Sequence, residues 1–356
     1  MSEDREVKKQ EKKNKRLLKK WKINTSKVAK ILFDLDDTTK SCVTNKYKSS
    51  NKILTDRDVV YCAEESDICK LDIFKPELVV DAKMPVLINV HGGGWITGDK
   101  KWRVAQGHLF ADMGMTVINI NYGLCPKYKY HESIRHVVKA MHWVENNAEE
   151  YNLDLDNVFL MGDSAGGQIA CLICAVLHNQ AFLDKIGEKR VNYQIKGALL
   201  HCGAYDFEDM LQNSLAYDII YDMTGKQHDQ IDDYEYKDMM YTIPWIDADF
   251  PQRVFVAYGK NDVFVGRHHL PLLARLKELG KDVVEYKGTF PGVHCFHLYY
   301  KTRESRRMYR AEKQYLMEVV RNRFPKDIES SADENTAATN DGDAVKSLSE
   351  AKDSQE

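Results

Sequence analysis

Short apolar runs punctuate this chain, and stretches with helical spacing separate them. The runs at 59–62, 71–74, 86–90, 116–121, 158–161, 198–201, 254–258 and 283–286 predict strands. Apolar residues recur three and four apart over 133–146, 165–177, 270–279 and 303–323, which predicts helices. In the last of these, Met308, Tyr315, Leu316, Val319 and Val320 form one stripe, so it should pack on a sheet. Alternation of this kind predicts the α/β class, a mostly parallel central sheet with helices on both faces. The first two runs, joined by a short polar stretch, predict an antiparallel start to the sheet.

The rhythm breaks over 206–243. Five tyrosines, four methionines, ten acidic residues and two lysines crowd this stretch between two predicted strands. It predicts a cap insertion, at about 206–245, over a site. Tyr217, Tyr221, Met223, Tyr236, Met239, Met240 and Tyr241 are either the lining of an apolar pocket or residues that pack the cap. The core domain is expected over 25–325, with an N-terminal arm at 25–58. Residues 326–356 hold few apolar side chains and predict a disordered acidic tail.

Composition adds limits more than identity. The 356 residues suffice for one large domain with flanking tails. A formal net charge of −3 gives no global pull toward nucleic acid or membrane, so no nucleic-acid partner is expected. No apolar stretch approaches the ~20 residues of a membrane span, and the first residues lack the apolar core of a secretory signal. The expectation is a cytoplasmic, reduced protein with no transmembrane segment; oligomeric state is not legible. Cys171 and Cys174 have CxxC spacing but fall in an apolar helical run, which predicts buried thiols and no metal. The first 22 residues carry ten Lys/Arg against four acidic groups, with Leu17, Leu18 and Trp21 at helical spacing. This basic tail, 1–24, is expected to be a solvated lead-in, with an anchor on anionic lipid or nucleic acid as the alternative.

Two motifs carry chemistry, each directly after an apolar run: His91-Gly92-Gly93-Gly94-Trp95 and Gly162-Asp163-Ser164-Ala165-Gly166-Gly167. A serine hydroxyl attacks carbon only when a base takes its proton. Ser164 in a G-x-S-x-G turn between strand and helix would stand exposed above the sheet. The helix starting at Ala165 would aim its first N–H at a developing oxyanion. The glycines after His91 let backbone donors approach the same oxygen, and Gly93 and Gly94 are the candidate donors, supported by Gly92. His91 is expected to brace this loop rather than carry protons.

A base and its orienting acid should follow in the order Ser, Asp or Glu, His. Asp262 lies just beyond the run at 254–258, where loops gather around a site. His294 and His297 both follow the last predicted strand. Either would serve as base; His294 is preferred because a Pro-Gly loop precedes it and His297 opens a helical stretch.

With these residues in place, the chain resembles the hormone-sensitive-lipase type of the α/β-hydrolase superfamily. The resemblance rests on His91–Trp95, Asn121-Tyr122 with Cys125-Pro126, Gly162–Gly167, Asn261-Asp262 and His294-Cys295-Phe296, and spans roughly residues 55–324. It implies an α/β-hydrolase fold with a cap, Ser164 as nucleophile, Asp262 as acid, His294 as base, and oxyanion donors at Gly93, Gly94 and Ala165. It implies a carboxylic ester hydrolase that needs no cofactor and takes a small-molecule ester. Two positions depart from the family pattern. Gly123 stands where an arginine is usual, and Cys295 where glycine is commoner after the histidine. Kynurenine formamidases and feruloyl-esterase-like proteins are similar too.

A rival motif lies near the start. Ile31-Leu32-Phe33-Asp34-Leu35-Asp36-Asp37-Thr38-Thr39 resembles the first motif of haloacid-dehalogenase phosphatases. That fold needs over a hundred further residues of its own, and the second predicted fold begins too soon. An arm packing Ile31, Leu32 and Phe33 on the cap is expected instead. The function expected from sequence is therefore serine-dependent cleavage of carboxylic esters. An amidase or arylformamidase on the same residues, or a non-catalytic receptor for a small ligand, are the alternatives.

Overall fold

Strands whose residues are apolar in unbroken succession sit in the middle of the sheet, where both faces are covered. The computed structural model describes residues 24–44, 47, 49–77, 83–214 and 216–319. The two predicted tails, at 1–24 and 326–356, lie outside them apart from Asn24. The strands are β1 (Ile53–Val60), β2 (Lys70–Pro76), β3 (Met84–Val90), β4 (Thr116–Ile120), β5 (Leu153–Asp163), β6 (Ile195–His201), β7 (Arg253–Gly259) and β8 (Asp282–Gly288). They form one sheet in the order β1-β2-β4-β3-β5-β6-β7-β8. β1 and β2 are antiparallel, as is β2 to β4; every later pair is parallel. This is the α/β-hydrolase architecture.

Side chains alternate between the two faces. On one face Ile88, Leu160, Ala198 and Val254 join α3 (Tyr130–Asn146) and α4 (Ala165–Val176) in a single core. On the other face Leu87, Phe159, Leu199 and Phe255 meet α2 (Val104–Asp112) and α9 (Arg303–Val319). Met308, Tyr315 and Leu316 of α9 are buried on the sheet, as their spacing predicts. Cys171 and Cys174 are buried in α4, and burial pushes both thiols far up.

Two readings of the N-terminal part need correction. The first strand runs Ile53–Val60, upstream of the predicted 59–62, and Ala63–Glu65 turn as a 3-10 helix. β1 is an edge strand whose Asp56, Arg57 and Asp58 interrupt the apolar pattern, which hides it from periodicity. The second correction concerns residues 25–44, which form a helix, α1 (Thr25–Thr44). Ile31 and Leu32 do not pack on the cap; they are 60% and 54% exposed.

Between β6 and β7 the chain forms α6 (Phe207–Gln212), α7 (Tyr217–Thr224) and three 3-10 turns. Here the packing reading holds for most of the aromatic and methionine side chains. Met223, Met239 and Met240 are buried in the core; Tyr217 stacks on His228, Tyr236 on His131, and Tyr241 meets Phe207 edge-on. Remaining helices are α5 (Gln180–Lys185) and α8 (His269–Glu278).

Candidate active site

In a parallel sheet, ligand sites gather beyond the C-terminal strand ends, where the winding reverses. Here β3 and β5 are neighbours at that reversal. His91 leaves β3, Ser164 leaves β5, Asp262 follows β7 and His294 follows β8. All four predicted positions therefore lie at one end of the sheet.

Ser164 has φ 53° and ψ −122°, a conformation that L residues rarely adopt. Its N–H donates to the His201 carbonyl at 2.8 Å, and α4 begins at the next residue. The turn is tight enough that a Cβ on Gly162 would lie 2.2 Å from the Gly166 carbonyl oxygen. Only glycine fits there, which explains the spacing of the motif.

His294 Nε2 is 2.9 Å from Ser164 Oγ, and His294 Nδ1 is 2.7 Å from Asp262 Oδ2. The other Asp262 oxygen accepts the N–H groups of Phe264 and Val265, at 2.9 and 3.1 Å. Burial works to raise the Asp262 carboxyl, but the His294 hydrogen bond and charge and these N–H groups bring it below its ordinary value. At His294, burial works to lower the imidazolium, and its neighbours outweigh burial and raise it. Burial pushes the Cys295 thiol well above its ordinary value, so at neutral pH that neighbour carries no charge. The upward direction at His294 comes from Asp262.

His297 is elsewhere. It is fully buried in the turn Phe296–Leu298, against His201 at 4.6 Å between ring centroids. Cys295, between the two histidines, has φ 50°, the left-handed region that favours glycine. The departure from the family's glycine thus falls on a position whose backbone suits glycine.

The glycine loop turns on itself. The Gly93 carbonyl accepts from the N–H groups of Ile96 and Thr97, and Gly93 has φ 127°. His91 Nδ1 donates to the Gly92 carbonyl at 2.7 Å, and the ring stacks on Tyr122 at 4.5 Å. The Tyr122 hydroxyl donates to the His91 carbonyl at 2.8 Å. Burial pushes His91 down to about 4, so the ring is neutral and positioned as a brace.

Sequence reasoning passed over Arg103. Its guanidinium donates to both Asp163 oxygens at 2.7 Å, and Gly92 N–H donates to Asp163 Oδ2 at 3.2 Å. Burial works to raise the Asp163 carboxyl, and the Arg103 charge holds it far below the usual carboxylate range. This pair ties the glycine loop to the serine turn. The only sequence signal was Asp163 itself, inside the serine motif.

Asp34 of the phosphatase-like motif lies on α1, not at a strand end. It accepts a hydrogen bond from the Thr97 hydroxyl, and Lys30 Nζ is 3.8 Å from its other oxygen. Phe33 reaches the site: its ring lies over Gly94, where a Cβ would come within 2.7 Å, and meets Phe264 edge-on at 5.7 Å.

Cys202, His294 and Cys295 bring three donor atoms within 4.8 Å of one another. Both His294 nitrogens are engaged by Asp262 and Ser164, so the imidazole of this trio is already committed. Among the described residues no helix is long and apolar enough to cross a membrane.

Comparison with known proteins bears on this geometry. The family model described as BD-FAE matches residues 71–275. The probable carboxylic ester hydrolase LipM of Mycobacterium tuberculosis is 28% identical over 270 residues, covering 74% of this chain and 61% of that protein. Esterase LipQ of the same organism is 26% identical over 252 residues, covering 67% and 58%. The chain thus spans about three fifths of the length of these curated relatives. Among solved structures, esterase B from Lactobacillus rhamnosis superposes with a TM-score of 0.73 at 18% identity, over 87% of this chain and 98% of that one. An esterase from Pyrobaculum calidifontis gives 0.63 at 16% identity, over 86% and 97%.

Proposed function

The chain belongs to the BD-FAE family, and from that membership and the site's geometry we propose that it is a serine hydrolase that cleaves carboxylic esters. One observation carries the reading: a single imidazole, His294, reaches Ser164 with one nitrogen and Asp262 with the other. The names of the relatives, carboxylic ester hydrolase and esterase, support the choice of ester.

Ser164 Oγ attacks the acyl carbon while His294 Nε2 accepts its proton. Asp262 holds the Nδ1–H and stabilises the imidazolium that forms. The carbonyl oxygen becomes an oxyanion, taken up by the N–H groups of Gly93, Gly94 and Ala165. Ala165 is the first residue of α4, and such an N–H has no partner within its helix. The intermediate collapses, His294 gives its proton to the leaving alcohol, and water repeats the sequence on the acyl-enzyme.

The test is a panel of p-nitrophenyl esters with N-formylkynurenine beside it, on the wild-type protein and Ser164→Ala. Ester turnover that Ser164→Ala abolishes, with fluorophosphonate labelling of Ser164 alone, is expected. Undiminished ester turnover in that variant, or turnover of the formamide only, would sink the reading.

A further inference from the structure

Helix α1 is built the wrong way round for a helix that only seals a core. At about 100° per residue, Val28, Ile31, Leu32 and Leu35 fall within roughly one 100° arc. All four face solvent, with Ile31 and Leu35 60% exposed. The opposite side holds the contacts to the body. There Ser26 donates to Asp222, Lys30 Nζ donates to the Ile96 carbonyl at 3.3 Å and Phe33 lies over Gly94, while Thr25 at the start of the helix donates to Asp218 at 2.7 Å. Aliphatic side chains in a row on a solvent face mark an interaction surface.

The stripe has apolar company. Val263 and Phe290 are 87% and 82% exposed, and Phe264 and Val293 are exposed beside them. These residues sit on the loops that carry Asp262 and His294. Asn261 Nδ2 donates to the Pro291 carbonyl at 2.8 Å, which joins the two loops. Phe264 touches both Phe33 and His294, at 5.7 and 5.2 Å between rings, so the helix and the loops adjoin at the site.

Charge selects the occupant. Residues 1–22, upstream of α1 in sequence, carry ten Lys/Arg against four acidic groups, and Lys27, exposed, lies one step round the helix from the stripe. Asp218 and Asp222 of the acidic insertion are turned toward Thr25 and Ser26 instead. An apolar stripe that follows a basic segment in sequence is the chemistry of an interfacial helix.

We propose that the α1 stripe and the two loop tips form the face with which this protein docks on an anionic lipid surface, presenting the site to esters held there. Delivery of an ester rests on the reading of Ser164, His294 and Asp262 above; docking does not.

The test is co-sedimentation of the full chain with vesicles of phosphatidylserine and phosphatidylcholine in equal parts, against pure phosphatidylcholine. Binding at least about tenfold tighter to the anionic vesicles is expected, and it should weaken as salt rises. The double variant Ile31→Ser/Leu35→Ser should lose about tenfold or more. Its thermal midpoint checks folding, and Val263→Ser/Phe290→Ser tests the loop tips without touching the helix. Absent binding at low salt, equal binding to neutral vesicles, or wild-type binding by both variants overturns the proposal. So does a dimer in size-exclusion chromatography that Ile31→Ser/Leu35→Ser dissolves while vesicles bind nothing, which would assign the stripe to a second copy. Sedimentation reads docking without turnover, so failure here and failure of the esterase assay are told apart.

Discussion

Arg103 and Asp163 are joined by two parallel hydrogen bonds of 2.7 Å, with both side chains only 2% exposed. They stand sixty residues apart in sequence, and Asp163, in the turn that holds Ser164, also accepts the Gly92 N–H of the glycine loop at 3.2 Å. Removing one partner leaves the other charge buried alone, which costs about 3–5 kcal/mol. Arg103→Ala should lower stability by that amount in urea titration. Asp163 is held below its ordinary pKa, so its contribution is present above the unfolded value and lost as pH falls toward the depressed one. Acid sensitivity between roughly pH 4 and lower values should therefore shrink in Arg103→Ala.

The pH profile of ester turnover reports on His294. If His294 is the base it works neutral, and Asp262 raises its pKa, so kcat/KM should fall as pH drops through a limb lying above the ordinary imidazole value of about 6.5. Asp262→Asn should move that limb down and lower kcat on the order of 10³–10⁴-fold. A limb that stays in place in the variant would remove Asp262 from the role.

Gly93→Ala tests the loop. The new Cβ would sit 2.1 Å from the Thr97 carbonyl oxygen at φ 127°, so the backbone must move. If the Gly93 and Gly94 N–H groups hold the oxyanion, kcat should fall about 10²–10³-fold with KM little changed. A rise in KM alone would mean that the loop only binds substrate.

Gln168 connects this loop to the insertion between β6 and β7. Trp95 Nε1 donates to Gln168 Oε1 at 3.2 Å, and Gln168 Nε2 donates to Thr242 Oγ1 at 2.7 Å. Gln168→Leu strands buried partners on both sides and should cost about 1–3 kcal/mol by chemical denaturation. Hydrogen exchange should then rise in the insertion before it rises in the sheet. Uniform acceleration across the protein would argue against a local link.

Much of the site was legible because its constraints are local. A serine turn that demands glycine two residues either side writes itself into six consecutive residues, Gly162–Gly167, and buried parallel strands write themselves as apolar runs such as Val86–Val90. The order of Ser164, Asp262 and His294 along the chain follows from the strand each one leaves. β1 was misplaced because an edge strand needs no continuous apolar face.

The sequence by itself determined the strand-and-helix alternation, the serine turn, the glycine loop and the short list of partners for Ser164. Only the tertiary structure put His294 within reach of Ser164 and buried His297, three residues further along the turn, against His201. It alone paired Arg103 with Asp163 and laid Phe33 over Gly94. Those contacts join residues about sixty positions apart, and nothing local encodes them. Sheet register and helix packing set which side chains meet, and both belong to the whole chain at once.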